Sequence, residues 1–173
     1  MKNVIAYWLL PDQPHRGFFT EIIRDLATRY DAPEFEPHVT VFVAPENTES
    51  PDSVLEELAR YHISLSVAGI QYSEKFTKTL FVQFNKTKAV QTLADSLQRV
   101  TKARQRYTVN PHLSLMYQHL TKGTKRQLAE TIQLSFRRVS FPAAAAVRCP
   151  SPTRTAADVR SWRVLALQNS STR

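Results

Sequence analysis

The chain has 173 residues, 42% hydrophobic and 22% charged, which suits one folded domain and argues against wholesale disorder. Lys and Arg number 23 against 15 Asp and Glu, a net charge of +8 that favours an anionic partner such as a nucleotide, an RNA end or a phosphate ester. Cys149 is the single cysteine, which excludes an internal disulfide and a Cys₂His₂ zinc site and makes the reducing cytoplasm the expected compartment.

In chain order, residues 4–10 are apolar and β-rich up to Pro11, a buried first strand rather than a signal peptide. Residues 17–30 place Phe19, Ile22, Ile23 and Leu26 at helical spacing. A strand is predicted over 38–44, between Pro37 and Pro45, and a helix capped by Asp52 or Ser53 runs to Tyr61. Strands over 64–73 and 79–85 follow, joined by a polar turn region at Glu74-Lys75. Val90, Leu93, Leu97 and Val100 give residues 88–100 a helical period, and 112–117 form a strand behind Pro111. Thr121 caps a helix through Gln133, and strands over 139–149 and 161–168 close the chain around a loop-like link, PSPTRTAAD. Only the closing NSSTR reads as frayed. No apolar run reaches the roughly 20 residues of a membrane-spanning helix. The three glycines, Gly17, Gly69 and Gly123, lie too far apart for a GxGxxG turn or a Walker loop, and no G-x-S-x-G elbow exists. The pattern is α+β, in one folded unit spanning 1–173.

Two segments share one design. Pro37-His38-Val39-Thr40-Val41 and Pro111-His112-Leu113-Ser114-Leu115 lie about half the chain apart. In a strand, residues i and i+2 share a face with about 6.8 Å of rise between them. His38 and Thr40 then project together, as do His112 and Ser114, while Val39, Val41, Leu113 and Leu115 turn inward. Side by side, the strands line one groove with two imidazoles and two hydroxyls. Opening a phosphodiester with water needs a base for the nucleophile and an acid for the leaving oxygen, and imidazole serves as either near neutrality. The hydroxyls supply hydrogen bonds to the non-bridging phosphate oxygens. No carboxylate recurs at ligand spacing beside both motifs, so neither a metal nor any other cofactor is called for.

These residues resemble the HxTx and HxSx motifs of the two-histidine (2H) phosphoesterase superfamily. FEPHVTVFVAP, NPHLSLMYQHLT, RVSFP, SWRVLAL and YWLLP, in that family's order, are similar to the plant-type cyclic phosphodiesterase branch. The resemblance implies a bilobal α+β fold, with two antiparallel sheets in pseudo-two-fold symmetry around a central cleft and helices outside. It implies catalytic residues His38, Thr40, His112 and Ser114, with Tyr117 contacting phosphate or ligand and Trp8 and Phe76 bordering a nucleoside. It further implies hydrolysis of ADP-ribose 1″,2″-cyclic phosphate or nucleoside 2′,3′-cyclic phosphates. Plant members carry several cysteines, and this chain lacks those staples.

The expected partner is therefore a small cyclic phosphate nucleotide, met by a monomer away from membranes. The alternatives are an RNA-end-processing 2H enzyme (a 2′-5′ RNA ligase or an RNA 2′,3′-cyclic phosphodiesterase) and a silent RNA- or nucleotide-binding module. An RNA reading would draw on Arg99, Lys102, Arg104 and Arg106, then Lys122, Lys125 and Arg126.

Overall fold

The computed structural model describes residues 2–46, 49–104 and 107–169. The strands are β1 (Lys2–Leu10), β2 (Val39–Pro45), β3 (Ile63–Tyr72), β4 (Leu80–Phe84), β5 (His112–Met116), β6 (Arg138–Phe141), β7 (Ala143–Ser151) and β8 (Arg163–Asn169). The helices are α1 (His15–Tyr30), α2 (Pro51–Leu58), α3 (Lys88–Val100), α4 (Lys122–Thr131) and α5 (Ala156–Arg160), with a 3₁₀ turn at Phe76–Lys78. No described helix is long and apolar enough to cross a membrane.

The strands join into one sheet in the order β6-β3-β4-β5-β2-β1-β7-β8, with every pairing antiparallel. This corrects the expectation of two sheets. The two motif strands are central neighbours, and the pair Val39↔Leu113 ties one half of the sheet to the other. β5 pairs with β4 over residues 80–83, and β1 pairs with β7 along its length, so each half is far more extensively laddered than the seam between them.

Strand alternation sorts the side chains by face. Ile5, Tyr7 and Leu9 of β1, Val39 and Val41 of β2, and Leu113 and Leu115 of β5 enter the main core. That core also takes Phe19 and Leu26 of α1, Leu55 and Leu58 of α2, Val90, Leu93 and Leu97 of α3, and Leu128 of α4. These four helices therefore cover one face. On β1 and β7 the opposite parity, Ala6, Trp8, Leu10, Ala143, Ala145, Val147 and Cys149, forms a smaller cluster that Trp162 packs against. The alanine run lies between β1 and β8, where small side chains fit a strand paired on both edges.

Several boundaries differ from the sequence reading. The strand expected over 139–149 is two strands, β6 and β7, divided at Pro142, which has no N–H for a ladder. The PSPTRTAAD link holds α5, started by a capping box in which Thr155 Oγ1 accepts from the Asp158 N–H and the Asp158 carboxylate accepts from the Thr155 N–H. Thr121 caps α4 as expected, accepting from the Thr124 N–H. Lys125 is 2% exposed, with its ammonium donating to Ser73 O and paired to Glu74 at 2.8 Å, so it is a packing residue rather than part of a basic surface. Lys102 is paired to Glu49 at 2.9 Å. Arg106 and residues 170–173 of the NSSTR tail lie outside the described residues.

Candidate active site

His38 immediately precedes β2 and His112 opens β5, each behind a proline that favours extended backbone before it. Each ring is aimed by the same local bond. His38 Nδ1–H donates to Glu36 O at 2.6 Å, and His112 Nδ1–H donates to Asn110 O at 2.7 Å. A carbonyl only accepts, so Nδ1 carries the proton and Nε2 is the nitrogen left on each ring for acid–base work. The segment before His112 is held by Gln83, whose amide donates to Asn110 Oδ1, Pro111 O and Phe84 O.

Both histidines, Thr40 and Ser114 line one cavity of about 410 Å³. Thr40 lies opposite Trp8 in the β1–β2 register, and Ser114 lies opposite Phe81 in the β4–β5 register. Ser114 is buried, donating its hydroxyl to Thr77 O at 3.0 Å. Its side chain also bonds the phenol of Tyr117, which is buried in the cavity wall. Of the other expected site residues, Trp8 lines the cavity. Phe76 does not; its ring stacks behind Tyr117, centroids 6.0 Å apart, while its chain neighbours Lys75, Thr77 and Lys78 face the opening.

Three aromatic rings enclose His38. Trp8 stacks on it at 3.7 Å, while Trp162 and Phe35 meet it edge-on at 6.0 Å and 6.3 Å. Phe35 in turn stacks on Tyr117 at 4.2 Å, linking the surroundings of one motif to those of the other. Burial lowers the His38 pKa from 6.5 to about 4, against the pull of the Glu36 carbonyl, and the nearby His112 lowers it further. His112 is also held below its ordinary value, first by burial and then by the positive charge of Lys78. Both shifts favour the neutral imidazole. Cys149, on the same wall, is pushed up to about 12 by burial and is inert as a thiolate nucleophile.

Phe35, Trp162, Thr77 and Lys78 were not singled out from the sequence. The sequence reads residues 74–78 only as a polar turn region between two strands, and Lys75, Thr77 and Lys78 of that region line the cavity. Sequence spacing carries no sign of Phe35 or Trp162, which reach His38 only through tertiary packing.

A family model described as cyclic phosphodiesterase-like protein matches residues 1–169. The cyclic phosphodiesterase of Arabidopsis thaliana is 26% identical over 176 residues, spanning 97% of this chain and 96% of that protein. Among solved structures, E. coli LigT complexed with 3′-AMP superposes with a TM-score of 0.56 at 13% identity, covering 98% of each chain. The apo form of LigT gives 0.55 at 12% identity with the same coverage. The LigT likeness is one of fold.

Proposed function

The chain belongs to the cyclic phosphodiesterase-like protein family, a branch of the 2H phosphoesterases, and on that premise we propose that it hydrolyses cyclic phosphodiesters using His38 and His112 as its acid–base pair. The substrates are ADP-ribose 1″,2″-cyclic phosphate and nucleoside 2′,3′-cyclic phosphates. One imidazole takes a proton from water as the water oxygen bonds to phosphorus. The other gives a proton to the ribose oxygen as its bond to phosphorus breaks, leaving an acyclic monoester. Thr40 and Ser114 hydrogen-bond the non-bridging oxygens, and Tyr117 holds Ser114 in place.

The observation that carries this reading is the common cavity. Two histidines from distant parts of the chain border it, each fixed through Nδ1 to the carbonyl two residues earlier, and each followed at i+2 by a hydroxyl facing the same space. Burial shifts both rings toward the neutral form that a base needs. An arriving phosphate anion favours protonation of one ring, which supplies the acid. The aromatic wall of Trp8 and Trp162 suits a nucleoside, and LigT, of the same fold, has been solved with 3′-AMP, ATP and NADP⁺.

The test is a product assay on ADP-ribose cyclic phosphate, a 2′,3′-cyclic nucleotide and a cyclic-ended RNA, with EDTA present. Turnover of the first two that disappears in His38→Ala and in His112→Ala supports the proposal. Turnover unchanged in both variants overturns it. Preference for the RNA end, with affinity falling steeply as salt rises, would instead identify an RNA-processing enzyme.

A further inference from the structure

Lys78 stands apart from the paired motifs. It ends the 3₁₀ turn Phe76–Lys78 and lines the same cavity as His38, His112, Thr40 and Ser114. Its ammonium rests over the Phe81 ring, 4.2 Å from the centroid, and the same ring meets His112 edge-on at 5.5 Å. Phe81 therefore sits between the lysine and the histidine as a shared platform.

No carboxylate answers this charge. None lines the cavity, and no ion pair joins Lys75 or Lys78 to an acid among the described residues. The nearby Glu74 is committed to Lys125. An aromatic face attracts an ammonium without using up its three N–H donors. The turn itself is pinned from two sides. Ser114 donates to Thr77 O, and the Thr79 hydroxyl contacts both Phe76 O and Gln118 O at 2.9 Å and 2.8 Å.

We propose that Lys78 binds the reacting phosphate on its His112 side, making it a substrate-contacting residue outside the two motifs. This rests on the cyclic phosphodiesterase reading above. A lysine held over one ring beside His112 supplies a cation where the hydroxyls supply only dipoles, and the charge on phosphorus-bound oxygen grows toward the monoester product. Burial and the neighbouring Lys75 both lower the Lys78 pKa, so an anion that neutralises the pair is favoured there. The other titratable groups around His112 are His38 across the cavity, and Tyr117 and Cys149 on its wall.

Lys78→Met keeps a chain over Phe81 without charge, and Lys78→Arg keeps the charge. Both would be assayed on adenosine 2′,3′-cyclic phosphate and on the same compound bearing a 5′-phosphate, with denaturation midpoints measured in parallel. The expected result is a fall in kcat/KM of about 10- to 100-fold for Lys78→Met on both substrates, with Lys78→Arg within a few-fold of the parent. Lys78 depresses the His112 pKa, so its loss moves the limb of the kcat/KM profile that His112 sets, acid limb as base or alkaline limb as acid, to higher pH. An unchanged Lys78→Met with an active parent overturns this proposal alone. So does a loss confined to the 5′-phosphorylated compound, or an equal loss in Lys78→Arg. ADP-ribose 1″,2″-cyclic phosphate serves as a third substrate in the same comparison, and a parent inert on all three compounds overturns the cyclic phosphodiesterase reading and this proposal with it.

Discussion

The imidazole of His38 lies flat on the indole of Trp8, their centroids 3.7 Å apart and their planes 11° from parallel. Two consequences follow for the histidine. Its ring plane is fixed by the stack as well as by the bond from Nδ1–H to Glu36 O, and its charged form is kept out of water. Trp8→Ala removes a large buried side chain and should cost about 3–5 kcal/mol in chemical denaturation. The better-filled Trp8→Phe should cost less, and in both variants the His38 pKa should move up toward 6.5, read by NMR titration.

The buried His38 also ties stability to pH. Its folded pKa is near 4 against 6.5 when unfolded, so below pH 6.5 the unfolded chain takes up a proton that the folded chain refuses. Stability should be full above about pH 6.5 and decline as pH falls toward 4, by about 3 kcal/mol in total from this residue. Urea midpoints across that range should show the slope, and His38→Gln should flatten it. A parent with no acid-side slope would contradict the burial-driven shift.

Ser114 is the point where motif and turn meet. Ser114→Ala deletes the hydroxyl that bonds Thr77 O, at a cost of about 1 kcal/mol in stability. Activity should fall further than stability accounts for, by about 10- to 100-fold in kcat/KM, because the same group faces the cavity. Equal activity in Ser114→Ala and the parent would remove the hydroxyl from the mechanism.

Lys125 belongs to the scaffold. Lys125→Met leaves Ser73 O without its donor and frees Glu74, and should destabilise the protein by about 1–3 kcal/mol. Binding of single-stranded RNA, if measurable, should keep the parent's salt dependence, because this ammonium is turned inward. A shallower salt slope in the variant would return Lys125 to the basic surface.

The parts of this molecule written in short-range pattern were legible in the sequence. Residues 88–100 form α3 at the predicted bounds, and the His-x-Thr and His-x-Ser strands lie within one residue of their expected limits. The i+2 rule alone put His38 with Thr40 and His112 with Ser114, on faces opposite Val39 and Leu113. Two errors had signals that were present and outweighed. Pro142 marked the break between β6 and β7, and Thr155 with Asp158 spelled a capping box inside a stretch whose prolines read as loop. What the pattern could not carry was convergence in space. Phe35 and Trp162 flank His38 from a loop before β2 and a turn before β8, and a three-residue 3₁₀ turn is too short to show a period.

The seam at Val39 and Leu113 sets how far apart the two histidines work. Each half of the sheet is stiffened by its own ladder, but across the middle the described backbone offers one partner pair, and the apolar side chains beneath do the rest. The spacing of the two imidazoles is thus a property of core volume: trimming Val39 or Leu113 would let the walls drift while each remained intact. Evolution or design could tune the width of the pocket from below, without altering a single residue that lines it.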